Sequence, residues 1–176
     1  MYKFCPQCGG RLERRLIKAG EPERLVCSAC RFVFYLDPKL AVISIIPKDG
    51  GVVMVRRAIE PGKGLWVVPG GFVDMGEPVE EALVREIQEE THLTVKVDRF
   101  IQVYSYPNHR TVVLAYMAEY LSGELAAGDE TLESRVFPWK EIPWAQLAFK
   151  STREALREYF QRLKEQGFWP PAGEIN

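Results

Sequence analysis

Between Glu77 and Leu93 the chain carries six glutamates, at positions 77, 80, 81, 86, 89 and 90, against one arginine, Arg85. Most charge runs are solvated helix faces, but two features set this one apart. Val79, Leu83 and Ile87 are spaced by four, so the segment from Pro78 to Thr91 reads as a helix. On it Glu86, Glu89 and Glu90 stand at i, i+3 and i+4 and share one face about one turn long. Like charges at that spacing destabilise a helix by roughly 0.2–0.5 kcal/mol per pair, so the cluster needs a compensating cation. Carboxylate oxygens suit a hard divalent ion, and Mg²⁺ in particular is held by a few carboxylates plus substrate phosphates. The second feature is the approach to this helix. Pro69-Gly70-Gly71 is a turn in which main-chain carbonyls can come close to the same metal.

The four cysteines form a second chemical group, Cys5-x2-Cys8 and Cys27-x2-Cys30, with eighteen residues between the pairs. That is the spacing of a zinc ribbon, in which two short knuckles supply four thiolates to a tetrahedral Zn²⁺. Two disulfides are the alternative. No signal peptide is read in Met1-Tyr2-Lys3-Phe4-Cys5, so a reducing, cytoplasmic setting is expected, where disulfides are rare. A four-cysteine site has no open coordination position, so it is expected to stabilise and not to catalyse.

The elements that must position these groups alternate between strand and helix signals. Arg31–Tyr35 and Leu40–Ile46 are β-prone, and Asp49-Gly50-Gly51 reads as a hairpin turn into Val52–Arg56. Leu65–Val68 follows a loop at Pro61–Gly64, and strand signals return at Val95–Val97, Ile101–Tyr106, Thr111–Tyr120 and Val136–Phe137. A last helix is expected from about Thr152 to Gln166, with Ser151 and Glu154 as a capping box and Gly167 as terminator. The mixture lacks regular βαβ units, which argues α+β or an α/β sandwich with helices on a mixed sheet. Apolar residues at 47% of the sequence are enough for a packed core. Basic and acidic residues balance at 23 against 24, which removes electrostatics as a reason to expect nucleic-acid or membrane binding. No apolar run approaches the ~20 residues of a membrane span.

Gly71-x5-Glu77-x7-Arg85-Glu86-Ile87-x-Glu89-Glu90, with Leu93 beyond it, resembles the Nudix hydrolase box. Every fixed position is present except the second glycine, which is His92 here. That position is where the helix should end and a left-handed residue is often needed. His is among the non-glycine types enriched in that conformation, so helix-end geometry explains it without a metal-binding role.

The resemblance implies an α/β/α sandwich on a mixed sheet over residues 37–168, preceded by a zinc ribbon over 1–36 and followed by a tail, 169–176. It also implies hydrolysis of a nucleoside diphosphate linked to another group. Glu86 and Glu90 become the principal ligands of Mg²⁺ or Mn²⁺, Glu89 completes the site, and the Gly70 or Gly71 carbonyl adds an oxygen. Arg85 and Glu77 become an ion pair bracing the helix, with Arg85 counted in the catalytic set. A further carboxylate outside the helix commonly serves as ligand or base, with Glu133 the first choice and Glu130 the second. Homodimers are common in this family, so a homodimer is implied.

A zinc ribbon before such a domain resembles NADH pyrophosphatases and a related group that includes plant FAD and ADP-ribose pyrophosphohydrolases. Tyr104-Ser105-Tyr106-Pro107 is a poor match to the NADH-selective motif, whereas Glu130–Phe137 and Ile142–Ser151 look like the second group. The implied substrates are FAD, ADP-ribose or NADH, cleaved to release AMP. Tyr104, Tyr106 and Trp66 can stack on rings, although aromatic residues on strand signals usually pack in cores. Arg56 and Arg57 point to opposite faces of their strand, so one of them at most reaches a phosphate, with Arg57 the candidate. Two rival readings stand beside this. One is a nucleotide-sensing module without catalysis. The other is removal of nucleotide caps from RNA, with contact through ribbon residues Lys3, Arg11, Arg14, Arg15, Lys18, Arg24 and Arg31.

Overall fold

The structure is a computed structural model that describes residues 2–165. The chain divides into two compact units, Met1–Pro38 and Lys39–Asn176.

The first unit is a three-stranded antiparallel sheet, β1 (Leu12–Arg15), β2 (Arg24–Cys27) and β3 (Val33–Phe34), in that spatial order. Its core cluster is Cys5, Leu12, Leu25 and Cys27, with Phe32 and Phe34 packed against it, and Val26 is buried as well. That is too little apolar surface to outweigh the chain entropy of a folded unit of this size, so its stability must come from the cysteines.

The second unit contains β4 (Lys39–Ile45), β5 (Pro47–Lys48), β6 (Gly51–Arg57), β7 (Trp66–Val67), α1 (Val79–Thr91), β8 (Thr94–Ser105), β9 (Thr111–Ser122), β10 (Thr131–Pro138) and α2 (Lys150–Glu165). One sheet has the order β4-β9-β8, with β4 parallel and β8 antiparallel to β9. The other has the order β10-β6-β5, with β7 also on β6. The central strands β6 and β9 bury residues on both faces. Val52, Met54, Ala115, Met117 and Phe137 belong to a core that includes Ala155, Leu156, Tyr159 and Phe160 of α2. Val42, Val53 and Ala118 belong to a second core with Ala82, Leu83 and Ile87 of α1. Alternation along β6 therefore sends Val53, Val55 and Arg57 toward α1, and Val52, Met54 and Arg56 toward α2. This is the expected α/β/α sandwich, with one mixed sheet (β4-β9-β8) and one antiparallel sheet.

Local chemistry explains the joints. Asp49 and Gly50 have φ of 47° and 76°, the primed turn that a two-residue hairpin requires, joining β5 to β6. The two strands expected at Val95–Val97 and Ile101–Tyr106 are one strand, β8, whose register with β9 shifts between Val97 and Arg99 and between Phe100 and Gln102. Those irregularities break the period-two pattern that sequence reading relies on.

The expected capping box at the last helix does not form. Helix α2 begins at Lys150, so Ser151 lies inside its first turn and is buried. Glu154 instead accepts a hydrogen bond from the Tyr106 hydroxyl at 2.6 Å and pairs with Lys150 at 3.4 Å. Gln166, the expected terminator Gly167 and the tail 169–176 lie outside the described residues. Among the described residues no helix is long and apolar enough to cross a membrane.

Candidate active site and zinc centre

Helix α1 buries Ala82, Leu83 and Ile87 and turns Glu86 and Glu90 toward the segment 69–71. That segment is fixed on its other side by β4: Val42 N–H donates to the Gly71 carbonyl and Ser44 N–H to the Pro69 carbonyl, both at 2.9 Å. The Gly70 carbonyl takes no backbone donor among the described residues, so of the two glycine oxygens it is the one open to a ligand. The Gly70 N–H donates to Glu90 Oε2 at 2.9 Å. Space constrains the two glycines differently, Gly70 by backbone and Gly71 by the end of one side chain. At Gly70, with φ of 146°, a Cβ would fall 2.1 Å from the Val42 carbonyl oxygen, and at Gly71 it would fall 2.3 Å from the Glu86 carboxyl group.

Arg85 distributes its guanidinium over the neighbouring acids. Its Nε and Nη2 donate to the two oxygens of Glu77 at 2.8 and 2.9 Å, and Nη1 donates to Glu86 at 2.9 Å and Glu89 at 3.2 Å. Nη2 also reaches the Phe72 carbonyl at 3.2 Å, which ties the loop to the helix. The fork of Arg85 holds Glu77 below the usual carboxylate range. Glu86 goes the other way: burial raises it despite Arg85. Glu90 is pushed up to about 7, by burial first and against the pull of the Gly70 N–H, with the Glu86 charge adding to the rise.

The donors fit a hard divalent cation. Glu86 is half-buried and Glu90 buried, both offer only oxygen donors, and Arg85 beside Glu86 is engaged first by Glu77. Arg85 engages one Glu86 oxygen, and the Gly70 N–H engages one Glu90 oxygen. Among the described residues the cysteines are the group of metal-ligating side chains that converges to within 4.8 Å.

In the ribbon, Cys5 Sγ lies 3.8 Å from Cys30 Sγ, and Cys8 Sγ lies 3.5 Å from Cys27 Sγ. Disulfide sulfurs are about 2.0 Å apart, whereas four thiolates at ~2.3 Å from one Zn²⁺ are about 3.8 Å apart. The arrangement fits zinc. Backbone N–H groups of Gln7, Gly10 and Cys30 point at the sulfurs of Cys5, Cys8 and Cys27 at 3.4–3.5 Å. The Cys30 N–H is the main reason that Cys27 is lowered to about 6.

The remaining sequence candidates are divided by the sheet. Thr131 pairs with Arg57, but Glu133 pairs with Arg56, so Leu132 is an extra residue in β10. This bulge puts Thr131 and Ser134 on the α1 side and Glu133 on the α2 side, 4.0 Å from Arg56. Glu130, just before the strand, is the outside carboxylate whose charge raises both Glu86 and Glu90. Arg57 is on the α1 side, where its charge pulls Glu90 down. Its Nε donates to the Pro61 carbonyl, and its guanidinium lies 5.1 Å over the Phe149 ring. Tyr104 and Tyr106 are on the α2 side, the first buried in that core and the second bonded to Glu154. Trp66 is buried against Phe137, with ring centroids 4.7 Å apart. Sequence reading missed Gly128, Thr131 and Ser134, which contact the end of α1. The hydroxyls lie on opposite faces until the bulge is counted.

Comparison with known proteins matches the NUDIX domain to residues 37–163. The chain belongs to the Nudix family. The zinc-ribbon family described as Nudix N-terminal matches residues 3–36. The ADP-ribose pyrophosphatase of Methanocaldococcus jannaschii is 37% identical over 145 residues, which cover 80% of each chain. The NAD-capped RNA hydrolase NudC of Salmonella heidelberg is 29% identical over 143 residues; these are 81% of this chain but 54% of that one, about half its length. A crystal structure of a Nudix hydrolase from Nitrosomonas europaea superposes with a TM-score of 0.87 at 32% identity, covering 94% of both chains. As a Nudix hydrolase the protein cleaves pyrophosphate bonds.

Proposed function

We propose that the protein hydrolyses ADP-ribose and related dinucleotides with an ADP half, FAD and NADH among them, and releases AMP. The observation that carries this reading is the Glu90 carboxylate held by the Gly70 N–H beside a Glu86 carboxyl packed directly against Gly71. Glu86 and Glu90 would hold Mg²⁺ or Mn²⁺, joined by Glu89 and by the Gly70 carbonyl. When bound, such ions polarise phosphoryl oxygens, lower the pKa of an attacking water and neutralise the leaving phosphate. Arg85 keeps Glu86 and Glu89 on one side of the helix. Of the two outside carboxylates, Glu130 is favoured over Glu133 as further ligand or base, because its charge reaches the box glutamates. Arg57, on the same side, is the residue proposed to meet a substrate phosphate. The 37% identity to an ADP-ribose pyrophosphatase over most of both chains supports the substrate class. The zinc is structural, the active unit is read as a homodimer, and the setting as the cytoplasm.

The test is AMP release from ADP-ribose, FAD and NADH with Mg²⁺ or Mn²⁺, comparing the parent with Glu86→Gln. Loss of turnover by at least about 100-fold in the variant is expected, on the scale of removing a group that stabilises transition-state charge. Turnover that survives the substitution would overturn the assignment of Glu86.

The NudC relative favours a second reading, cap removal from RNA. Cleavage of NAD-capped RNA that falls steeply with salt, while cleavage of free dinucleotide does not, would support it.

A further inference from the structure

The last carbonyls of any helix lack intrahelical donors. In α1 those of Glu90 and Thr91 are met by one segment on the way into β10. Ala126 N–H donates to the Thr91 carbonyl at 3.1 Å, and Gly128 N–H donates to the Glu90 carbonyl at 3.2 Å. The Ser134 hydroxyl, from β10 itself, donates to that same Glu90 oxygen at 3.2 Å. Thr131 Oγ1 is 3.4 Å from it but 3.0 Å from the Gly128 carbonyl, so it chiefly closes the segment on itself. The approach is tight: a Cβ on Gly128 would lie 1.8 Å from the Glu89 carbonyl oxygen.

These donors do more than end the helix. His92, with φ of 59°, already closes α1 locally through its N–H to the Gln88 carbonyl. A carbonyl oxygen has two lone pairs, and here both are filled from outside the helix, by Gly128 and Ser134. Glu90 is therefore held at both ends, its carboxylate by the Gly70 N–H and its carbonyl by the strap. The residue is 9% exposed, so little water is at hand to replace a lost donor. Ser134 reaches this oxygen only because the bulge at Leu132 resets the face of β10.

We propose that Ser134 is a positioning residue of the metal site. Its hydroxyl, acting with the Gly128 N–H on the Glu90 carbonyl, fixes the last turn of α1 so that the Glu86 and Glu90 carboxylates are aimed at one cation. The proposal rests on the metal-binding role given above to those two glutamates.

The test uses the zinc-loaded full chain and Mn²⁺ titration followed by the spectroscopic signal of free Mn²⁺, which needs no substrate. Ser134→Thr and Ser134→Val have the same shape and differ in the hydroxyl alone. The Val variant is expected to bind Mn²⁺ about tenfold more weakly, the low end of the loss seen when partners of metal ligands are removed. The Thr variant is expected to stay within about twofold of the parent. At saturating metal, kcat should fall less than metal affinity does. Equal Mn²⁺ affinity in the Thr and Val variants, even with a lower melting temperature for Val, overturns the proposal and leaves Ser134 merely structural. Glu86→Gln separates the two levels: if it binds Mn²⁺ as the parent does, the metal reading itself fails, and the Ser134 proposal falls with it.

Discussion

At the scale of single residues, the two adjacent glycines before α1 perform different tasks, and substitution should separate them. A Cβ on Gly70 meets backbone, the Val42 carbonyl oxygen at 2.1 Å and the Ile43 Cα at 2.6 Å, at a φ that side chains rarely adopt. Backbone on a paired strand cannot give way cheaply, so Gly70→Ala should destabilise the fold by at least about 2 kcal/mol. A Cβ on Gly71 meets only the far end of Glu86, which can swing aside. Gly71→Ala should fold within about 1 kcal/mol of the parent but lose metal-dependent turnover at least about tenfold, because the displaced group is the carboxylate itself. Thermal melts beside AMP release check both. Full activity in Gly71→Ala would mean that Glu86 need not sit against that glycine.

At the scale of elements, α1 was readable because everything that defines it is local: apolar residues every four positions, acids on the next face, a glycine turn before it. The left-handed helix end at His92 was readable for the same reason, since the conformation belongs to one residue. It carries a test. Glycine adopts φ near 60° without the steric cost that other residues bear, on the order of 1 kcal/mol. His92→Gly should therefore raise the melting temperature by about 2–4 °C, with metal-dependent turnover unchanged. A lower melting temperature would show that the imidazole contributes more than its backbone costs. What was not readable depends on pairing between distant segments. The choice between Glu130 and Glu133 turns on one bulged residue, Leu132, which period-two reasoning cannot see. Tyr104 and Tyr106 can by sequence either stack on a ring or pack in the core, and which face of β8 they take is set by its register with β9. Ser134 gave no signal, because its partner is a main-chain carbonyl 44 residues away.

At the scale of the whole molecule, the two units draw stability from different sources. The Nudix unit has two apolar cores, one on each side of its sheets. Among the described residues the ribbon buries five apolar ones, of which Cys5 and Cys27 are themselves metal-ligand candidates. Without a metal, four clustered thiols replace a binding free energy of about 10–16 kcal/mol with sulfur atoms that gain nothing from proximity. One zinc per chain is therefore expected by native mass spectrometry. Its removal with a strong chelator should open residues 1–38 to protease, while the segment from Lys39 through α2 resists cleavage. Added Zn²⁺ should restore protection, and Mg²⁺ should not, because thiolates select a softer ion than carboxylates do. Unchanged resistance after verified metal loss would mean that Leu12, Leu25, Phe32 and Phe34 suffice to hold the ribbon.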